Sequence, residues 1–566
     1  MDKQKNIVII GGTACGPKAG ARARRCDPQA RITIVEQEDN LSVATCGLPY
    51  YVSGTIVSQS KLVTRSPEFF RDVMNIKTLI KTKALAINRK AHKVEILELK
   101  TNRVTTLDYD KLVLATGSIP IVPDVVGKHL EGILTLTKIK DANAFRELLS
   151  PRQIKKAVIV GAGLIGLEMA EALAVEGLEV TVIEAMNRVL PTLLDFEMAT
   201  YVERHLQAKG IKLALGQRVI GFEGDENAWV RKVITENTET KASLVLLALG
   251  IKPNIALAEE AGLAIGHTGG IAVDQYLRTS DIDVYAGGDC VENVHRITQQ
   301  KILAPAGSTA NKHGRVIGTN VTGGAETFPG VLGTTIAKVF ACNVARVGLS
   351  ESQAREYGYD VSTCLVPGLE YASYYPDGKE ILVKLVVESS SGRLLGGQVV
   401  GLGEIAKRID ILATALTFGA TVDELANLDL AYAPPYNSAV DPLHDAANVI
   451  RNKHAGYAKT LTPMEINNKI KQGEDFVFLD VRSPSEWESH RIEAPQVRLI
   501  PLNGLRKSLD VLPKEMEIVT FCQTSRRAYQ AQRILDGAGF RNVKFMDGSI
   551  DAWPYEISSN EPRAAR

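Results

Sequence analysis

One cysteine stands alone in the segment SVATCGLPYY, which has no charged side chain. Gly47 and Pro49 keep Cys46 out of any long regular element. No second cysteine lies within a dozen residues on either side, and positions four and five beyond it are Tyr50 and Tyr51. A thiol without a neighbouring thiol must share its bond with something that arrives, either a substrate sulfur or an oxygen. Cys46 is therefore a candidate nucleophile.

A second candidate thiol, Cys522, lies in VTFCQTSRRAYQAQRILDGAGF, a pattern that predicts a strand, a six-residue loop and an amphipathic helix. The seven cysteines are scattered, odd in number and without zinc-type pairing. This usage argues against a disulfide scaffold and predicts no metal site. We expect a reducing, cytoplasmic location, since the strand-like NIVIIGG begins at residue 6 and leaves no room for a signal peptide.

Length and charge set the remaining limits. A chain of 566 residues is too long for one core. Its 66 basic and 65 acidic residues give a net charge of +1, with no overall basic surface for nucleic acid or an anionic membrane. No apolar run approaches the roughly 18 residues that span a bilayer. We therefore expect neither nucleic acid nor membrane as a partner.

The elements that must position these thiols follow two patterns. Up to about residue 325, short β-branched runs alternate with helical stretches, which is typical of α/β units on parallel sheets. The strand–glycine turn–helix pattern of NIVIIGGTACGPKAGARARR returns 150 residues later in KKAVIVGAGLIGLEMAEALAVEGLEVTVIEA. Residues 326–450 then mix α and β patterns, the polar RNKHAGYAK (451–459) is interpreted as a linker, and 460–566 form a compact α/β module.

The second glycine turn predicts a dinucleotide site. GAGLIG places Gly161, Gly163 and Gly166 in a complete GxGxxG between a strand and a helix. Such glycines let the backbone approach a pyrophosphate at the helix N-terminus. Glu184 ends the next strand, where a carboxylate accepts from a ribose 2′-OH and repels a 2′-phosphate. NADH is therefore favoured, although Arg188 leaves NADPH possible.

The first glycine turn, GGTACG, is degenerate. Gly11 and Gly16 occupy the outer positions, but Thr13 replaces the middle glycine. Glu36 ends the following strand, twenty residues beyond Gly16. Alone, this pattern fits a strand–helix turn that binds nothing almost as well as a nucleotide site.

Two further motifs favour the nucleotide site. LVLATGSIP, with Thr116 and Gly117, and DVYAGGDC, with Asp289, resemble the paired flavoprotein motifs of the pyridine nucleotide-disulfide oxidoreductases. The resemblance implies that Asp289 bonds the ribityl chain of FAD, and that AGSTANKHG begins the helix facing the flavin pyrimidine. It implies an FAD-binding domain over 1–120 and 255–325, and an NADH-binding domain over 121–254.

The Cys46 segment resembles the SFANCGLPYY motif of coenzyme A-disulfide reductases and their persulfide- and polysulfide-reducing relatives. Val43 replaces phenylalanine and Thr45 replaces asparagine, a change that bears on substrate preference. The resemblance implies a redox-active Cys46 beside the flavin. We expect the flavin environment to lower the pKa of this thiol.

Lys18, Arg22 and Arg25 recur at helical spacing on one face of the first helix. In the family the corresponding helix helps hold the coenzyme A phosphates, which makes Lys18 and Arg22 candidate ligands. A solvated charged face explains the pattern equally well.

EYASYYPDG and YAPPYNSAVDP resemble the family's C-terminal dimerisation domain, which we place at 326–450. The resemblance implies that a tyrosine from each stretch approaches the partner subunit's active cysteine and donates a proton. Tyr436 is preferred from the second stretch, and Tyr374 over Tyr375 from the first. Packing at a homodimer interface is the alternative role for these aromatic side chains.

FVFLDVRSPSEWESHRI, the Cys522 segment and MDGSIDAW together resemble a rhodanese domain over 460–566. The resemblance makes Cys522 the nucleophile of a loop whose backbone N–H groups surround a persulfide. Arg526 and Arg527 add positive charge, and Arg527 matches the arginine that closes the loop. Ser525 stands where glycine is usual, so that position can require an unusual backbone conformation.

The predicted fold is thus α/β, with two Rossmann-like domains, an α+β dimerisation domain and a rhodanese-like domain. The predicted activity is FAD-dependent NAD(P)H reduction of coenzyme A persulfide, polysulfide or coenzyme A disulfide, with hydride passing from NADH through FAD to Cys46 and with Cys522 carrying sulfur. Two alternatives stay open. One is an NADH oxidase or peroxidase that cycles Cys46 through a sulfenic acid, and the other is a sulfur carrier or sensor that the reductase half resets.

Overall fold

The computed structural model describes residues 4–150 and 154–559. The chain divides between residues 183 and 184, 216 and 217, and 331 and 332. The first and third stretches form one compact unit, and the second and fourth form another. The predicted domain boundaries stay a prediction, and the predicted limits at residues 1 and 566 lie outside the described residues.

Helices are distributed along the described part of the chain. In chain order they are α1 (Cys15–Cys26), α2 (Leu48–Val52), α3 (Ile139–Leu149), α4 (Leu164–Val175), α5 (Phe196–Ala208), α6 (Ala256–Glu260), α7 (Gly307–Asn320), α8 (Glu351–Glu356), α9 (Ala406–Thr417), α10 (Val422–Ala426), α11 (Pro442–His454), α12 (Pro463–Lys471), α13 (Pro484–Ser489), α14 (Leu502–Leu505) and α15 (Arg526–Gly537). Short 3₁₀ turns lie at Thr45–Gly47, Gln59–Leu62, Leu509–Val511 and Ser549–Ala552, and a π turn lies at Phe69–Val73.

The first unit opens with a five-stranded parallel sheet. Its strands are, in spatial order, Val284–Ala286, Lys111–Leu114, Asn6–Ile10, Arg31–Val35 and Lys77–Leu79. The central runs are rich in isoleucine and valine because both faces of a parallel sheet are buried. Helices α1 and α7 lie close together, since Gly314 and Gly318 present no side chain: a Cβ on either would stand 2.5 Å from a backbone oxygen of α1.

A second parallel sheet in this unit carries the repeated glycine turn. Its strands are, in spatial order, Glu179–Glu184, Lys156–Val160, Leu244–Leu247 and Ile133–Leu134. Smaller antiparallel pieces complete the unit: Thr82–Asn88 with Lys93–Glu98 and Arg103–Asp108, Val219–Gly224 with Val230–Thr235 and Glu239–Lys241, Ser118–Pro120 with Ile251–Pro253, and Asn293–Val294 with Lys301–Ile302. The two predicted strand–turn–helix units are therefore present.

The second unit contains an antiparallel and a parallel sheet. The antiparallel strands are, in spatial order, Thr335–Val339, Cys342–Gly348, Leu394–Gly401, Glu380–Glu388 and Val361–Leu369. The parallel strands are Thr460–Leu461, Val543–Met546, Ile518–Phe521, Val477–Asp480 and Val497–Leu499. His490–Arg491 pairs with Ser558–Ser559, and Lys212–Leu215 is a further strand. The parallel sheet buries Phe478, Phe521 and Trp553, which fill one of its faces.

Part of the segment interpreted as a linker, 451–459, is helical. Helix α11 continues to His454, and the Lys453 ammonium lies 2.6 Å from an Asp547 carboxylate oxygen. Ala458 is buried against the parallel sheet's core. The polar composition that suggested a linker instead reflects basic residues in the last turn of a helix, where they complement its dipole.

Within the two described ranges, every helix is too short or too polar to span a bilayer. Nor do the described residues gather three or more His, Cys, Asp or Glu side chains into an arrangement that could hold a metal.

Candidate functional site

Cys46 sits in the middle of a 3₁₀ turn, Thr45–Gly47, and α2 begins immediately after it. Pro49 stands in the first turn of α2, where its missing N–H costs no hydrogen bond. The Ala44 N–H donates to the Leu62 carbonyl at 2.7 Å, which fixes the chain just before the turn. The thiol is free and exposed, as the prediction of a short irregular segment required.

The side chains around this thiol are acidic. Although the residue is exposed, the surrounding chain partly desolvates its thiol, and this desolvation, together with the carboxylates of Glu168 and Asp289, raises the pKa of Cys46 above its usual value. The expected lowering of this pKa therefore receives no help from these protein groups, which shift it in the opposite direction. Burial and the neighbouring Glu171 raise the pKa of Glu168 itself to about 7. The sequence analysis missed Glu168, although it follows Gly166 by two residues on α4.

The first glycine turn has the geometry of a nucleotide-binding loop. Gly11 has a φ of +110°, and a Cβ on Gly16 would lie 1.9 Å from the Gly11 carbonyl oxygen. Only glycine allows this close strand–helix turn. Glu36 is 8% exposed, and one of its carboxylate oxygens accepts the Gly12 N–H at 2.6 Å. The acid predicted for a ribose thus lies directly at the turn.

The two flavoprotein motifs meet in the first unit. Thr116 donates its hydroxyl hydrogen to the Asn254 carbonyl at 2.6 Å, and the Cβ position of Gly117 opens onto free space. The Ser118 hydroxyl donates to Asp289 at 3.3 Å. Burial raises the pKa of Asp289, while that hydroxyl and the backbone N–H of Ala306, just before α7, oppose the shift.

A flavin fits this arrangement. An open glycine cradle, a buried acid at the first turn and a half-buried aspartate beside a helix start match an FAD dinucleotide and its ribityl chain. FAD bound here would be held by the loops at Gly11–Gly16 and Thr116–Gly117 and by Asp289.

The second glycine turn repeats this construction. Gly161 also has a φ of +110°, and a Cβ on Gly166 would lie 2.1 Å from the Gly161 oxygen. At Gly163 a Cβ would meet nothing within 4 Å, so the middle glycine leaves open space at the start of α4. A pyrophosphate fits there, against the unpaired N–H groups of the first helical turn. Glu184 is the last residue of its strand and accepts the Met186 N–H at 2.9 Å.

The candidate coenzyme A ligands lie on α1, which is helical as predicted. The Arg22 guanidinium donates to the Thr319 hydroxyl on α7 at 2.9 Å, which fixes its direction. Lys18 is exposed. Their role toward phosphates stays a prediction.

The tyrosines of the second unit pair in an unexpected way. The Tyr374 and Tyr432 hydroxyl oxygens lie 2.7 Å apart, and both side chains are exposed. This hydrogen bond raises the pKa of Tyr374. The preferred residue, Tyr436, is 73% exposed, and among the described residues its hydroxyl forms no hydrogen bond. YAPPY has a tyrosine at each end, and only the long-range contact with Tyr374 distinguishes them.

The Cys522 loop holds its thiol out of solvent. Cys522 is 1% exposed, and Arg527 hydrogen-bonds its side chain. The two Arg527 Nη atoms also donate to Glu486 at 2.8 and 2.6 Å. Arg527 lowers the pKa of Glu486 to about 2. Arg526 instead donates to Asp445 at 2.6 Å. Its positive charge is therefore paired with that carboxylate and not, as the sequence analysis expected, directed at the Cys522 thiol.

Ser525 has the unusual conformation that its position suggested, with a φ of +74°. Its hydroxyl donates to the Met546 carbonyl at 2.9 Å and lies 3.1 Å from the Ser549 hydroxyl oxygen. Ser549 is fully buried and accepts the Cys522 N–H at 3.2 Å. The hydroxyl groups of Ser525 and Ser549 therefore link the backbone of Cys522 to Met546, the last residue of the neighbouring strand.

These sites and sheets agree with three matched protein families. The family described as "Pyridine nucleotide-disulphide oxidoreductase" matches residues 5–306, and its dimerisation domain matches 334–444. A "Rhodanese-like domain" matches 462–555. The chain belongs to the pyridine nucleotide-disulphide oxidoreductase family, with a rhodanese-like domain at its C-terminal end. The predicted family and fold class are confirmed.

Individual relatives narrow the comparison. The "NAD(P)H coenzyme A polysulfide/persulfide reductase" of Pyrococcus horikoshii is 39% identical over 456 residues, covering 79% of this chain and 99% of the relative. A solved "NAD-Dependent Persulfide Reductase from A. fulgidus" is 45% identical, with a TM-score of 0.92 over 97% of this chain and 100% of that one. "Reduced Bacillus anthracis CoADR-RHD" is 33% identical, with a TM-score of 0.92 over 97% and 98%.

Proposed function

We propose that this protein is an FAD-dependent NAD(P)H reductase of sulfane-sulfur substrates, namely coenzyme A persulfide, polysulfide and coenzyme A disulfide. The observation that carries the proposal is the presence in one chain of two thiols in different settings. Cys46 is exposed and has no neighbouring thiol, whereas Cys522 is enclosed in a loop with an arginine on its sulfur. The names of the relatives above support the same substrates.

At Cys46 the first step is a nucleophilic substitution on sulfur. The Cys46 thiolate attacks one sulfur of the substrate S–S bond, a bond to that sulfur forms, and the other sulfur leaves as a thiolate. Bound FAD would supply, from NAD(P)H, the two electrons that return Cys46 to a thiolate. Since no second thiol is near, the substrate sulfur is the partner that Cys46 requires.

The leaving thiolate needs a proton. The Tyr374–Tyr432 pair offers a phenolic O–H on the exposed surface of the dimerisation domain. In a homodimer, this pair would protonate the thiolate that leaves the partner subunit's Cys46. We assign this role to Tyr432 in preference to the predicted Tyr436, because Tyr432 forms the hydrogen bond to Tyr374.

Cys522 would carry the sulfane sulfur. Arg527 hydrogen-bonds the thiol, and a guanidinium at this position suits a persulfide anion. Glu486 holds that guanidinium through two hydrogen bonds and so fixes its direction. We place the protein in the cytoplasm, where reducing conditions keep both thiols free.

Anaerobic reduction by NADH, followed by separate oxidants, tests the proposal. Purified wild type is expected to be yellow and to oxidise NADH rapidly with coenzyme A persulfide, polysulfide or coenzyme A disulfide, and slowly with peroxide or oxygen. Cys46→Ser should lose turnover with every sulfur oxidant. Tyr374→Phe and Tyr432→Phe should each lower kcat about 10²-fold, the low end for a lost general acid, while Tyr436→Phe retains it.

Other outcomes would overturn the proposal. Fast turnover with oxygen or peroxide and none with sulfur compounds would make the protein an oxidase or peroxidase. Full sulfur reductase activity in Cys46→Ser would remove the central thiol from the mechanism. A Cys522→Ser variant that keeps NADH turnover but fails to deliver sulfur to a partner protein would favour a carrier or sensor.

A further inference from the structure

A cavity of about 850 Å³ lies within the second compact unit. Helix α5 contributes His205 to its wall, and the antiparallel sheet contributes Glu380. The rhodanese-like domain contributes Gln523 and Thr524, which directly follow Cys522 in the chain. The cavity therefore extends to the loop that holds the enclosed thiol.

The volume of the cavity indicates which kind of sulfur donor it fits. Inorganic sulfur species such as thiosulfate or hydrosulfide have at most a few heavy atoms. Cavities of roughly 300–1,000 Å³ are typical of sites for whole organic ligands. A cavity this large therefore fits an organic molecule that carries the sulfur, rather than an inorganic sulfur anion alone.

One wall residue, His205, is a buried polar group without a hydrogen-bond partner in the described part of the chain. Its side chain is 3% exposed, and neither ring nitrogen has a hydrogen-bond partner among the described residues. Buried polar groups in proteins are almost always hydrogen-bonded. Burial and the nearby Lys209 lower the pKa of His205, so the ring is neutral and offers one donor and one acceptor. Both ring nitrogens are themselves buried, so they make no direct contact with a ligand in the open cavity.

The charges on the wall favour a cationic group in that ligand. The Arg204 guanidinium donates to the carbonyls of Trp553 and Tyr555, and Arg526 is paired with Asp445. By contrast, Glu380 and Glu556 line the cavity as exposed side chains, and neither forms an ion pair within the described part of the chain. The wall thus presents two carboxylates without counterions, while the charge of Arg526 is paired with Asp445 and the Arg204 guanidinium is held by backbone carbonyls.

We propose that this cavity binds the donor that loads Cys522, and that the donor is the persulfide of a small aminothiol, such as cysteine persulfide, with a free ammonium group. The ammonium would lie near Glu380 and Glu556. The polyanionic phosphates of coenzyme A suit this wall poorly, so coenzyme A persulfide would serve Cys46 instead. The assignment rests on the proposed function, because it requires sulfur transfer at Cys522.

The transfer balances without an external redox partner. The Cys522 thiolate attacks the terminal sulfur of R–S–SH, and a new S–S bond forms at Cys522. The S–S bond of the donor breaks, and R–S⁻ leaves. The proton of the persulfide passes to that leaving sulfur, which gives R–SH and a Cys522 persulfide anion.

The test compares two matched donors on the full-length holoenzyme. Cysteine persulfide carries the ammonium, and N-acetylcysteine persulfide lacks it. The rate of sulfur loading at Cys522 is measured by mass spectrometry of its peptide, with Cys522→Ser as the blank. Wild type should load from cysteine persulfide about tenfold faster than from the acetylated donor or from coenzyme A persulfide. In Glu380→Gln/Glu556→Gln this preference should disappear, whereas Glu515→Gln, an exposed glutamate elsewhere in the domain, should keep it.

Each opposite result has a distinct meaning. Equal loading from both donors in wild type, or a preference that survives in Glu380→Gln/Glu556→Gln, overturns the donor assignment and leaves sulfur transfer standing. Faster loading from coenzyme A persulfide overturns it as well. If thiosulfate and all three persulfides fail to load wild-type Cys522, sulfur transfer itself is refuted, and the donor assignment with it.

Discussion

At the scale of single residues, the charges around Cys46 disfavour the thiolate that its reaction requires. Cys46 must attack as a thiolate, yet Glu168 and Asp289 place negative charge near it. Glu168 has a pKa of about 7, so its charge changes near neutral pH. Below pH 7 the carboxyl is mostly neutral and repels the thiolate little. Above pH 7 it is mostly ionised and holds back deprotonation of Cys46. Glu168 therefore couples the thiol to the pH of its environment.

Replacing Glu168 by glutamine removes that charge and nearly preserves the side chain's shape. We expect Glu168→Gln to lower the pKa of Cys46, because the substitution removes a nearby negative charge that disfavours the thiolate. The difference from wild type should be greatest above pH 7, where Glu168 is ionised. The measurement is the rate of Cys46 alkylation by iodoacetamide against pH, after anaerobic reduction. Glu176→Gln, an exposed glutamate just beyond α4, is the control and should match wild type. Superimposable profiles for Glu168→Gln and wild type would contradict the coupling.

At the scale of elements, the Cys522 loop contains a residue with a strained backbone, Ser525, whose own hydroxyl group stabilises that conformation. A serine at a φ of +74° costs on the order of 1 kcal/mol relative to glycine. Its hydroxyl contacts the Met546 carbonyl and the Ser549 hydroxyl, and such hydrogen bonds contribute about 0.5–1.5 kcal/mol each. The strain and the hydrogen bonds nearly cancel in stability. What Ser525 adds is therefore rigidity of the loop around the nucleophile.

Two substitutions separate these effects. Ser525→Ala removes the hydroxyl but keeps the strain, so it should destabilise the loop by about 1 kcal/mol. Ser525→Gly removes both, so it should be near neutral in stability while the loop becomes more mobile. Hydrogen exchange of the amides of residues 522–527, followed by mass spectrometry, should be faster in both variants and fastest in Ser525→Ala. Ser508→Ala serves as the control, because the Ser508 hydroxyl caps no helix. Unchanged exchange in both Ser525 variants would show that the hydroxyl does not hold the loop.

Elements of this kind differ in how far the sequence reveals them. The glycine turns at Gly11 and Gly161 were predictable, because a close strand–helix turn admits only glycine and leaves a recognisable spacing. The strain at Ser525 was predictable from the same reasoning. The hydrogen bond between Tyr374 and Tyr432 was not predictable, since the two residues lie 58 positions apart in the sequence. Local patterns fix turns and helices, whereas pairings across long separations require the folded chain.

At the scale of the molecule, a buried cluster of charged side chains holds α5 against the antiparallel sheet of the second unit. No local sequence pattern indicates this cluster. Lys384 lies in the strand run EILVKLVVE and is 1% exposed. Its ammonium lies 3.2 Å from Asp195, 3.4 Å from Glu197 and 2.8 Å from Glu351. Asp195 and Glu197 belong to the start of α5, almost 190 residues away in sequence. The cluster thus fastens this helix to the antiparallel sheet.

Removing the ammonium should loosen that attachment in a pH-dependent way. Lys384→Met leaves buried carboxylates without their counterion, which typically costs about 3–5 kcal/mol. In wild type, burial raises the pKa of Asp195. The Lys384 ammonium and several hydrogen bonds lower it by more than burial raises it, so the net pKa is about 2. Its contribution to stability is therefore present above its ordinary pKa of 3.8 and is lost as the pH falls toward 2.

In Lys384→Met the same carboxyl groups repel one another, and protonation relieves the repulsion. The difference in Tm between wild type and Lys384→Met should therefore be large at pH 7 and narrow progressively toward pH 4. Scanning calorimetry of the full-length holoenzyme at pH 7, 5 and 4 measures it. Lys379→Met, at an exposed position just before the same strand, should shift Tm little at any of these pH values. A difference for Lys384→Met that stays constant with pH would mean that the cost is lost packing rather than unpaired charge.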